Sequence, residues 1–359
     1  MEEELLLVDP DDGRALAVAG AVLHDAAVHR QQLAGEGLTA ELTCEQIETN
    51  TRPCTSLNEL GSELRRWRRV AAQAARAGGA QVAALATAPL PVAPIITPKP
   101  RYREMRDKFG LTAAQQLTCG CHVHVEVGSD EEGVAVLDRI RGWLPTLLAL
   151  SANSPFWQGE DTGYASFRSQ MQNRWPSAGP TELFGSAENY HATVRTMIES
   201  GVPIDEGMIY FDARLSRNYP TVEVRVADVC LHSDDAVLLA GLTRALVETA
   251  ARAWRAGRPS PPFRVELLRL AAWRASRSGL GGSLIDPTGR QAPAQRVVQA
   301  LIEHVRPALE DLGEYDVVQA CTDAVFGRGN GSTLQRDAYR RGGSLADVVA
   351  FAVTRTAGA

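Results

Sequence analysis

The sequence predicts an α+β fold, a mainly antiparallel sheet with helices packed on one of its sides. Several short segments alternate strictly between apolar and polar residues, which is typical of half-buried strands. Longer helical patterns separate these segments, and no repeated strand–helix unit, internal repeat or linker divides the chain. We therefore expect one domain over residues 1–359.

The strand predicted over residues 219–228 shows this alternation most clearly. Glu223 and Arg225 point to one side, and the neighbouring valines point to the other. The valines, which belong on the core face, are Val222, Val224 and Val226. A carboxylate and a guanidinium then lie side by side above the sheet, which packing alone does not require. For this strand alone, an ordinary solvent-facing pair is an equally good explanation.

Three other predicted strands have the same layout. At the start of the chain, Glu2 and Glu4 share one face, opposite Glu3 and Leu5. The polar residues of the strand predicted over 119–127 are His122, His124 and Glu126. Those of the strand predicted over 208–216 are Tyr210, Asp212, Arg214 and Ser216. A solvated face would carry Thr, Ser and Lys freely, so a face rich in Glu, His, Arg and Asp favours an active site.

Between these strands the sequence predicts helices and loops. A capping box, Ser56-x-x-Glu59, opens a helix that ends at Gly78-Gly79, and residues 80–88 are predicted as a buried strand. The other helices are predicted near residues 20–34, 130–151, 186–200, 233–257, 262–277, 293–311 and 314–326. Two long loops, at 89–110 and 154–184, are of the kind that folds over or binds at a site.

The composition argues against two classes of partner. The chain has 37 basic and 43 acidic residues, a net charge of −6, and its basic residues are spread along helices, so nucleic acid is not expected. No stretch approaches 18 apolar residues, so no membrane span is expected. The six cysteines lack paired zinc spacing and the N-terminus lacks a basic leader. We therefore expect reduced thiols in a cytoplasmic protein.

The candidate metal ligands are five carboxylates and one imidazole. They are Glu2, Glu4, Glu41, Glu48, His122 and Glu223. Such a set suits a hard cation, Mg²⁺ or Mn²⁺, and Mg²⁺ usually bridges to phosphate oxygens, which points to ATP. Glu41 has the opposite strand parity to Glu48, so both reach one site only across a bend or bulge. Each residue also has an ordinary structural explanation, which the joint pattern outweighs.

Two arginines could bind phosphate. Arg225 beside Glu223 would supply a bidentate contact, and Arg214 would add a second cation on the neighbouring strand. The glycine-rich run 327–331 could bring backbone N–H groups near a phosphate. It lacks the Lys-Ser/Thr ending of a Walker loop, so this run is weak evidence by itself.

The chain resembles the glutamate–cysteine ligase family 2, the carboxylate–amine ligases related to bacterial γ-glutamylcysteine synthetase. The matching segments run in the family's order from the first residues to near the end. They are EEEL at 2–5, LVD at 7–9, residues 41–51, TCGCHVHV at 118–125, RWPSAGP at 174–180, YFDARLS at 210–216, TVEVRVAD at 221–228, GNG at 329–331 and QR at 335–336.

This resemblance implies a saddle-shaped antiparallel sheet like that of glutamine synthetase and guanidino kinases, with helices on the convex side. ATP and divalent metals would lie over the concave face. The implied metal ligands are the same six residues: Glu2, Glu4, Glu41, Glu48, His122 and Glu223. The implied cofactor contacts are Arg225, Gly329, Asn330, Gly331 and Arg336. The implied catalytic residues are Arg225, which would hold phosphate, and Arg214 and Arg168, which would contact the acyl phosphate or the substrate carboxylate.

Two departures from the family pattern bear on the site. The family's glycine-aromatic-hydrophobic lead into the first strand is missing, so Glu2 is expected on a shortened and poorly held strand. Glu126 stands where relatives have a small residue, which is expected to bring an extra carboxylate near the site. That carboxylate could add a metal contact, repel an acidic substrate or favour a cationic amine.

The resulting hypothesis is an ATP-dependent carboxylate–amine ligase that forms an amide through an acyl phosphate. By resemblance, the default substrates are small molecules, the γ-carboxylate of glutamate with cysteine or another amine. Two alternatives stay open: a metal-dependent amidohydrolase, because His-x-His on a strand also begins such sites, and a catalytically idle ATP-binding relative. Long amphipathic helices could pair two copies of the chain, so a homo-oligomer is compatible with the sequence.

Overall fold

The structure is a computed structural model that describes residues 1–28 and 37–357. Within these residues the strands are β1 Glu2–Val8, β2 Gly37–Ala40, β3 Gln46–Asn50, β4 Gln81–Ala83, β5 Gly120–Glu126, β6 Phe156–Trp157, β7 Glu160–Asp161, β8 Ala213–Leu215, β9 Thr221–Asp228, β10 Ser283–Ile285 and β11 Gln291–Pro293.

The same residues form fourteen α-helices and two short 3-10 helices. The α-helices are α1 Ala19–Val28, α2 Leu57–Ala77, α3 Pro100–Phe109, α4 Leu111–Ala114, α5 Asp130–Ile140, α6 Leu144–Ser151, α7 Phe167–Gln172, α8 Ala187–Glu199, α9 Ser233–Arg255, α10 Val265–Ser278, α11 Ala294–Asp311, α12 Tyr315–Arg328, α13 Gly331–Gly342 and α14 Leu345–Thr356. The 3-10 helices are Arg141–Trp143 and Glu206–Met208. None of the described helices combines the length and apolarity needed to cross a lipid bilayer.

Seven of the described strands form one antiparallel sheet. Along its main path the order is β2-β3-β1-β5-β9-β8, and β4 pairs with the far end of β1. Each of these strand pairs is antiparallel. The strand that begins the chain therefore lies in the middle of the sheet, between β3 and β5.

Helices cover one face of the sheet, as the alternation predicts. Cys121 and Val123 of β5 and Val222 and Val224 of β9 are buried in a core cluster with residues of α2, α5 and α9. The apolar residues of β1 belong to a second cluster with α1, α2 and α14. Each such burial contributes about 1.5–3 kcal/mol of transfer free energy. The predicted α+β class is confirmed, and the opposite face, the open face, carries the polar residues.

The prediction for Val226 is wrong, because β9 contains a bulge. Cys121 of β5 pairs with Ala227, but Val123 pairs with Val224, so β9 has one extra residue between the two pairs. Ala227 takes the core position, and Val226 turns to the open face.

Several element boundaries also differ from prediction. Of the strand predicted over 208–216, only β8 forms, because Asp212 N donates to Gly179 O (3.0 Å) outside the sheet. The loop predicted over 89–110 contains α3, whose first turn holds Pro100. In the helix predicted over 20–34, α1 accounts for the part up to Val28, and residues 29–34 lie outside the described residues.

The expectation that Glu2 lies on a poorly held strand is wrong. Glu2 pairs with Asn50 on one side and with His122 on the other. Thr51 N donates to the carbonyl oxygen of Met1 at 3.0 Å, so pairing continues to the first residue.

A buried ion pair ties β1 to the helices behind it. Glu3 and Arg68 of α2 are 0% and 2% exposed, and the guanidinium donates two hydrogen bonds to the carboxylate, of 2.6 and 2.9 Å. Arg68 also donates to the carbonyl oxygens of Cys230 and Leu231, directly after β9. Because Glu3 points away from the open face, this contact positions Glu2 and Glu4 on the opposite side of the same strand.

We expect Arg68→Met to lower the free energy of unfolding by about 3–5 kcal/mol, because it leaves the Glu3 carboxylate buried without its partner. The double variant Glu3→Met/Arg68→Met should be less destabilised than the single one. Urea-induced unfolding followed by circular dichroism measures both.

The matched control is Arg264→Met, which removes an exposed pair with Glu266 (2.7 Å) and should change stability by less than about 1 kcal/mol. Equal effects of Arg68→Met and the control would show that the buried pair does not hold β1.

Candidate active site

A cleft of about 910 Å³ lies over the open face of the sheet. Polar residues of β1, β3, β5, β8 and β9 line its floor, and α3, α6, α10 and residues 168–180 and 205–212 contribute walls. Trp175 packs against Phe109 of α3 and against Tyr210, with ring centroids 5.2 and 5.5 Å apart. Both segments predicted as site-covering loops therefore contribute to these walls.

The strand register brings the predicted metal ligands side by side. Glu4 of β1 lies opposite Glu48 of β3, and Glu2 lies opposite His122 of β5. On the other side of β5, His124 lies opposite Glu223 of β9. Acidic and imidazole groups from four strands thus share one surface, and Glu41 reaches it from the segment between β2 and β3.

Glu4, Glu41 and Glu48 form a cluster of carboxylates. One oxygen of each carboxylate lies within 4.8 Å of the other two. Glu41 reaches the cluster across a bend in the chain, as its strand parity, opposite to that of Glu48, requires. Burial, and then the charges of Glu48 and Glu4, raise the pKa of Glu41 well above its ordinary value. Burial and the charges of Glu2 and Glu4 likewise raise the pKa of Glu48 to about 7. Charge repulsion inside this cluster is what a bound cation would relieve.

Glu2 lies between two imidazoles. Its Oε2 is 2.9 Å from His122 Nδ1, and its Oε1 is 3.3 Å from His124 Nε2. Burial would raise the pKa of Glu2, but the contacts with both histidines outweigh burial and hold it well below its ordinary value. Burial and the nearby Arg225 lower the pKa of His122, which favours the neutral, metal-binding form.

Glu223 is neutralised by two guanidinium groups. Arg214 donates Nε to Oε2 (2.8 Å) and Nη2 to Oε1 (3.2 Å), and Arg225 donates Nη1 to Oε1. Burial would raise the pKa of Glu223, but Arg225 and Arg214 outweigh it and bring the pKa to about 2. The carboxylate is therefore ionised, and both arginines lie at the floor of the cleft beside the candidate metal ligands.

The donor set fits a divalent cation. Within residues 1–28 and 37–357, three groups have ligand atoms within 4.8 Å of one another: Glu4, Glu41 and Glu48; Glu2, Glu48 and His122; and Glu2, His124 and Glu223. Carboxylate oxygens dominate, which is the preference of Mg²⁺ and Mn²⁺. His124 is absent from the predicted ligands, although its alternation with His122 placed it on the same face.

Arg168 of α7 lines the cleft, and the protein leaves part of its hydrogen-bonding capacity unused. Its side chain is only 5% exposed, and its Nε makes no hydrogen bond to any residue that the structure describes. Its two terminal nitrogens reach backbone oxygens of Val226 and Arg225 only at 3.4 Å. Gly120 leaves room for it, because a Cβ there would collide with the guanidinium. Asp228, which holds Ser154 and Ser166 by hydrogen bonds, lies 3.9 Å from it. A buried guanidinium with a free donor is suited to bind an anion.

Asp212, like His124, lines the cleft, although the sequence did not predict a role for it. Burial raises its pKa to about 7, and only Arg168 opposes that rise. It lines the cleft beside Arg214. The polar alternation of residues 208–216 predicted its face, but nothing in the pattern showed that burial would raise the pKa of its carboxyl.

The predicted cofactor contacts other than Arg225 lie away from the cleft. They are Gly329, Asn330, Gly331 and Arg336. Asn330 caps α13 through Thr333 N (3.3 Å) and donates to Ala149 O (3.0 Å), while Arg336 pairs with Asp161 at 2.6 Å. Asn330 and Arg336 line a separate pocket. Packing accounts for these residues, and a nucleotide contact by them stays a prediction.

Glu126 does not join the site. It lies at the end of β5, is exposed, and is absent from the residues that line the cleft. The expected extra carboxylate near the site is therefore not there, because the cleft ends before the last residue of the strand.

Known proteins similar to this chain share its whole length. The profile of glutamate–cysteine ligase family 2 matches residues 1–351. A candidate glutamate–cysteine ligase 2-1 of Streptomyces avermitilis is 54% identical over 359 residues, which cover 100% of this chain and 99% of that protein. A candidate glutamate–cysteine ligase 2 of Streptomyces coelicolor is 52% identical over 357 residues, covering 99% and 98%.

Solved structures share the fold at low sequence identity. A glutamate–cysteine ligase of Francisella tularensis in complex with AMP has a TM-score of 0.71 at 13% identity, and the match covers 99% of this chain and 87% of that one. The Pup ligase PafA in complex with Pup has a TM-score of 0.52 at 14% identity, covering 98% and 70%. The chain therefore belongs to the glutamate–cysteine ligase family 2 and is an ATP-dependent ligase that forms carbon–nitrogen bonds.

Proposed function

We propose that the protein joins the γ-carboxylate of glutamate to cysteine or another small amine through an acyl phosphate, with Mg²⁺ or Mn²⁺ and ATP. The observation that carries this proposal is the convergence of six candidate metal ligands and three arginines over one open sheet face. The relatives named as glutamate–cysteine ligases support the choice of substrates, and the AMP-bound neighbour supports the choice of nucleotide.

The acidic and the basic residues of the cleft floor are proposed to have different roles. The carboxylates and His122 would hold the divalent cation, which would neutralise negative charge on the phosphates of ATP. Arg225 lies among these residues and is proposed to hold the transferred phosphate. Its contact with Glu223 orients the guanidinium over the sheet before substrate binds.

Arg168 and Arg214 are proposed to act on the acid. A carboxylate oxygen attacks the γ-phosphorus of ATP, the bond to the β-γ bridging oxygen breaks, and ADP leaves. The amine nitrogen then attacks the acyl carbon, phosphate departs with the carbon–oxygen bonding pair, and the nitrogen loses a proton. Negative charge stays near the guanidinium groups throughout, so their role is positioning and charge stabilisation.

The cellular setting is part of the same proposal. All six cysteines lie in the described residues and none forms a disulfide, which suits a reducing compartment such as the cytoplasm. We propose one ligase domain that acts on small molecules, with its acid and amine both entering the cleft.

The structure weakens the two alternatives. An amidohydrolase of the His-x-His type needs a repeated βα pattern with ligands at strand ends, whereas the described sheet is antiparallel and its ligands lie on a sheet face. An idle relative has no need to keep the ligand carboxylates, but Glu2, Glu4, Glu41 and Glu48 all line the cleft.

The decisive experiment measures ADP release from MgATP in a screen of amino acids and amines. Release that needs both an acid and an amine, with an amide product seen by mass spectrometry, supports the ligase. Zinc-supported amide hydrolysis without ATP would support the amidohydrolase instead. Nucleotide binding seen by calorimetry, with no turnover for any amine, would support the idle relative.

We expect Glu48→Gln to lower kcat at least about 10²-fold, because losing one ligand carboxylate removes several kcal/mol of charge stabilisation. The readout is the ADP-release rate with the best acid and amine pair. Glu126→Gln is the matched control, since Glu126 is an exposed strand glutamate outside the cleft, and it should keep wild-type activity. Similar rates for the two variants would contradict the proposed metal role of Glu48.

We expect Arg168→Lys to lower kcat/KM for the acid about 10²-fold, since lysine cannot reproduce the fork of a buried guanidinium. Hydroxylamine, used as the amine, traps the acyl phosphate as a hydroxamate, and hydroxamate yield should fall in parallel. Arg306→Lys, which changes a guanidinium paired with Glu303 on α11, should leave both readouts unchanged. An unchanged hydroxamate yield in Arg168→Lys would remove Arg168 from the acyl-phosphate step.

A further inference from the structure

We propose that Asp212 accepts a proton from the incoming amine and thereby makes its nitrogen a nucleophile for the acyl carbon. An amine with an alkyl substituent is an ammonium ion near neutral pH, and its nitrogen has no lone pair until a proton has left. The proposed function names no residue that takes this proton. The inference therefore rests on the proposed function and adds a catalytic residue to it.

The other acidic groups of the cleft have partners or another proposed role. All five glutamates and both histidines of the floor belong to the groups that could hold a cation. Asp205, in the cleft wall, accepts two hydrogen bonds from Arg101, of 2.5 and 2.9 Å. Among the described residues that line the cleft, Asp212 is the one remaining carboxyl group.

The Asp212 side chain is free to meet a substrate, although its backbone is held on both sides. Its N–H donates to Gly179 O (3.0 Å), and its carbonyl oxygen accepts from Arg225 N (2.9 Å). The half-buried side chain lines the cleft, yet no group within residues 1–28 and 37–357 donates a hydrogen bond to its carboxyl oxygens. A fixed backbone with an unpaired carboxyl suits a group that acts on a ligand.

Asp212 also lies next to the guanidinium groups that are proposed to hold the acid and the phosphate. Arg225 pairs with its backbone, and Arg168 reaches the carbonyl oxygen of Arg225 at 3.4 Å. Arg214 follows two residues later and donates Nη1 to Ile209 O (2.9 Å), so the chain curves around that guanidinium. An ammonium bound at Asp212 therefore lies beside the acyl phosphate that these three arginines hold.

The charges around Asp212 suit a proton acceptor that works near neutral pH. Burial raises the pKa of Asp212 to about 7, and Arg168 of α7 opposes that rise. Arg214 of β8 and Arg225 of β9 are directed at Glu223 instead. A base is most effective when its pKa lies near the working pH.

Two further charged groups on neighbouring segments are engaged elsewhere. Asp228, at the end of β9, accepts hydrogen bonds from Ser154 and Ser166 (2.7 and 2.8 Å). Arg174, which lines the cleft before Gly179, donates to Gln115 Oε1 at 3.0 Å. Neither group acts on the pKa of Asp212.

The proton transfer precedes bond formation. An Asp212 oxygen takes one proton from the ammonium, and the freed lone pair forms the carbon–nitrogen bond at the acyl carbon. The carbon–oxygen bond to phosphate breaks, and the departing phosphate keeps the bonding pair and takes the second proton from nitrogen. Asp212 returns its proton to water when the product leaves.

The test compares Asp212→Asn with the wild-type chain, using glutamate, MgATP and two amines, cysteine and hydroxylamine. Cysteine carries an ammonium group near neutral pH, whereas hydroxylamine is neutral and needs no proton acceptor before it attacks. Near neutral pH, we expect amide formation from cysteine to fall about 10²-fold in the variant and hydroxamate formation to change less than about 3-fold.

The pH dependence is a second measurement. The carboxylate is the active form, so the wild-type kcat with cysteine should rise as the pH increases through about 7. In Asp212→Asn this rise should be replaced by one that continues to higher pH, where cysteine loses its own proton. The deficit of the variant should therefore shrink as the pH increases, and Asp212→Glu, which keeps a carboxyl, should retain more activity than Asp212→Asn.

Stability separates this role from a structural one. A carboxyl whose pKa is raised by folding destabilises the folded chain at pH values above that pKa. We therefore expect the Tm of Asp212→Asn at pH 8 to equal or exceed that of the wild-type chain. If Asp212→Asn does not fold, Asp212→Ser takes its place. Asp311→Asn is the matched control, because Asp311 is exposed and pairs with Arg252 (2.6 Å), and it should change no rate.

Equal losses with cysteine and hydroxylamine in Asp212→Asn would overturn the proposal, because they would place Asp212 in the formation of the acyl phosphate. Wild-type rates with both amines would also overturn it and would leave the ligase proposal intact. A wild-type chain that forms no hydroxamate would refute the ligase proposal and this inference with it.

Discussion

The site depends on how β1 is held in the middle of the sheet. This strand carries Glu2 and Glu4 on the open face and Glu3 on the helix side, and its register with β3 and β5 brings Glu48 and His122 opposite them. The Glu3–Arg68 pair connects the strand to α2 and to the backbone after β9. A one-residue slip would turn every side chain of β1 to the other face. The buried Glu3–Arg68 contact therefore also fixes which side chains lie on the open face.

Electrostatics divide the cleft into two regions. Around Glu41 and Glu48, carboxylates crowd one another with little positive charge, so burial and mutual repulsion raise their pKa values. Around Glu2 and Glu223, histidines and arginines compensate the charge, and the pKa values fall. A cation added to the first region would relieve the most charge repulsion. The second already holds its carboxylates ionised, which is the form that binds a metal or orients Arg225.

Packing behind the cleft wall positions Arg168. Asp228 is fully buried at the end of β9 and accepts hydrogen bonds from Ser154, Ser166 and the backbone N–H of Asn153. These contacts position the start of α7, and the missing side chain of Gly120 leaves space for the guanidinium. Buried contacts thus place the Arg168 guanidinium at the cleft.

The sequence by itself determined several strands of the main sheet and which of their acidic and imidazole residues share a face. Period-two alternation is a local property, so it identified Glu2, Glu4, His122 and Glu223 as residues of one face without any knowledge of the fold. Tertiary structure decided what alternation does not encode. The bulge in β9 turned Val226 to the open face, and the bend before β3 brought Glu41 to the cluster. The contact of Asn330 with Ala149 holds the glycine-rich run outside the cleft, and the cleft ends before Glu126. Each of these depends on contacts between residues far apart in the chain, and such contacts leave no periodic trace in the sequence.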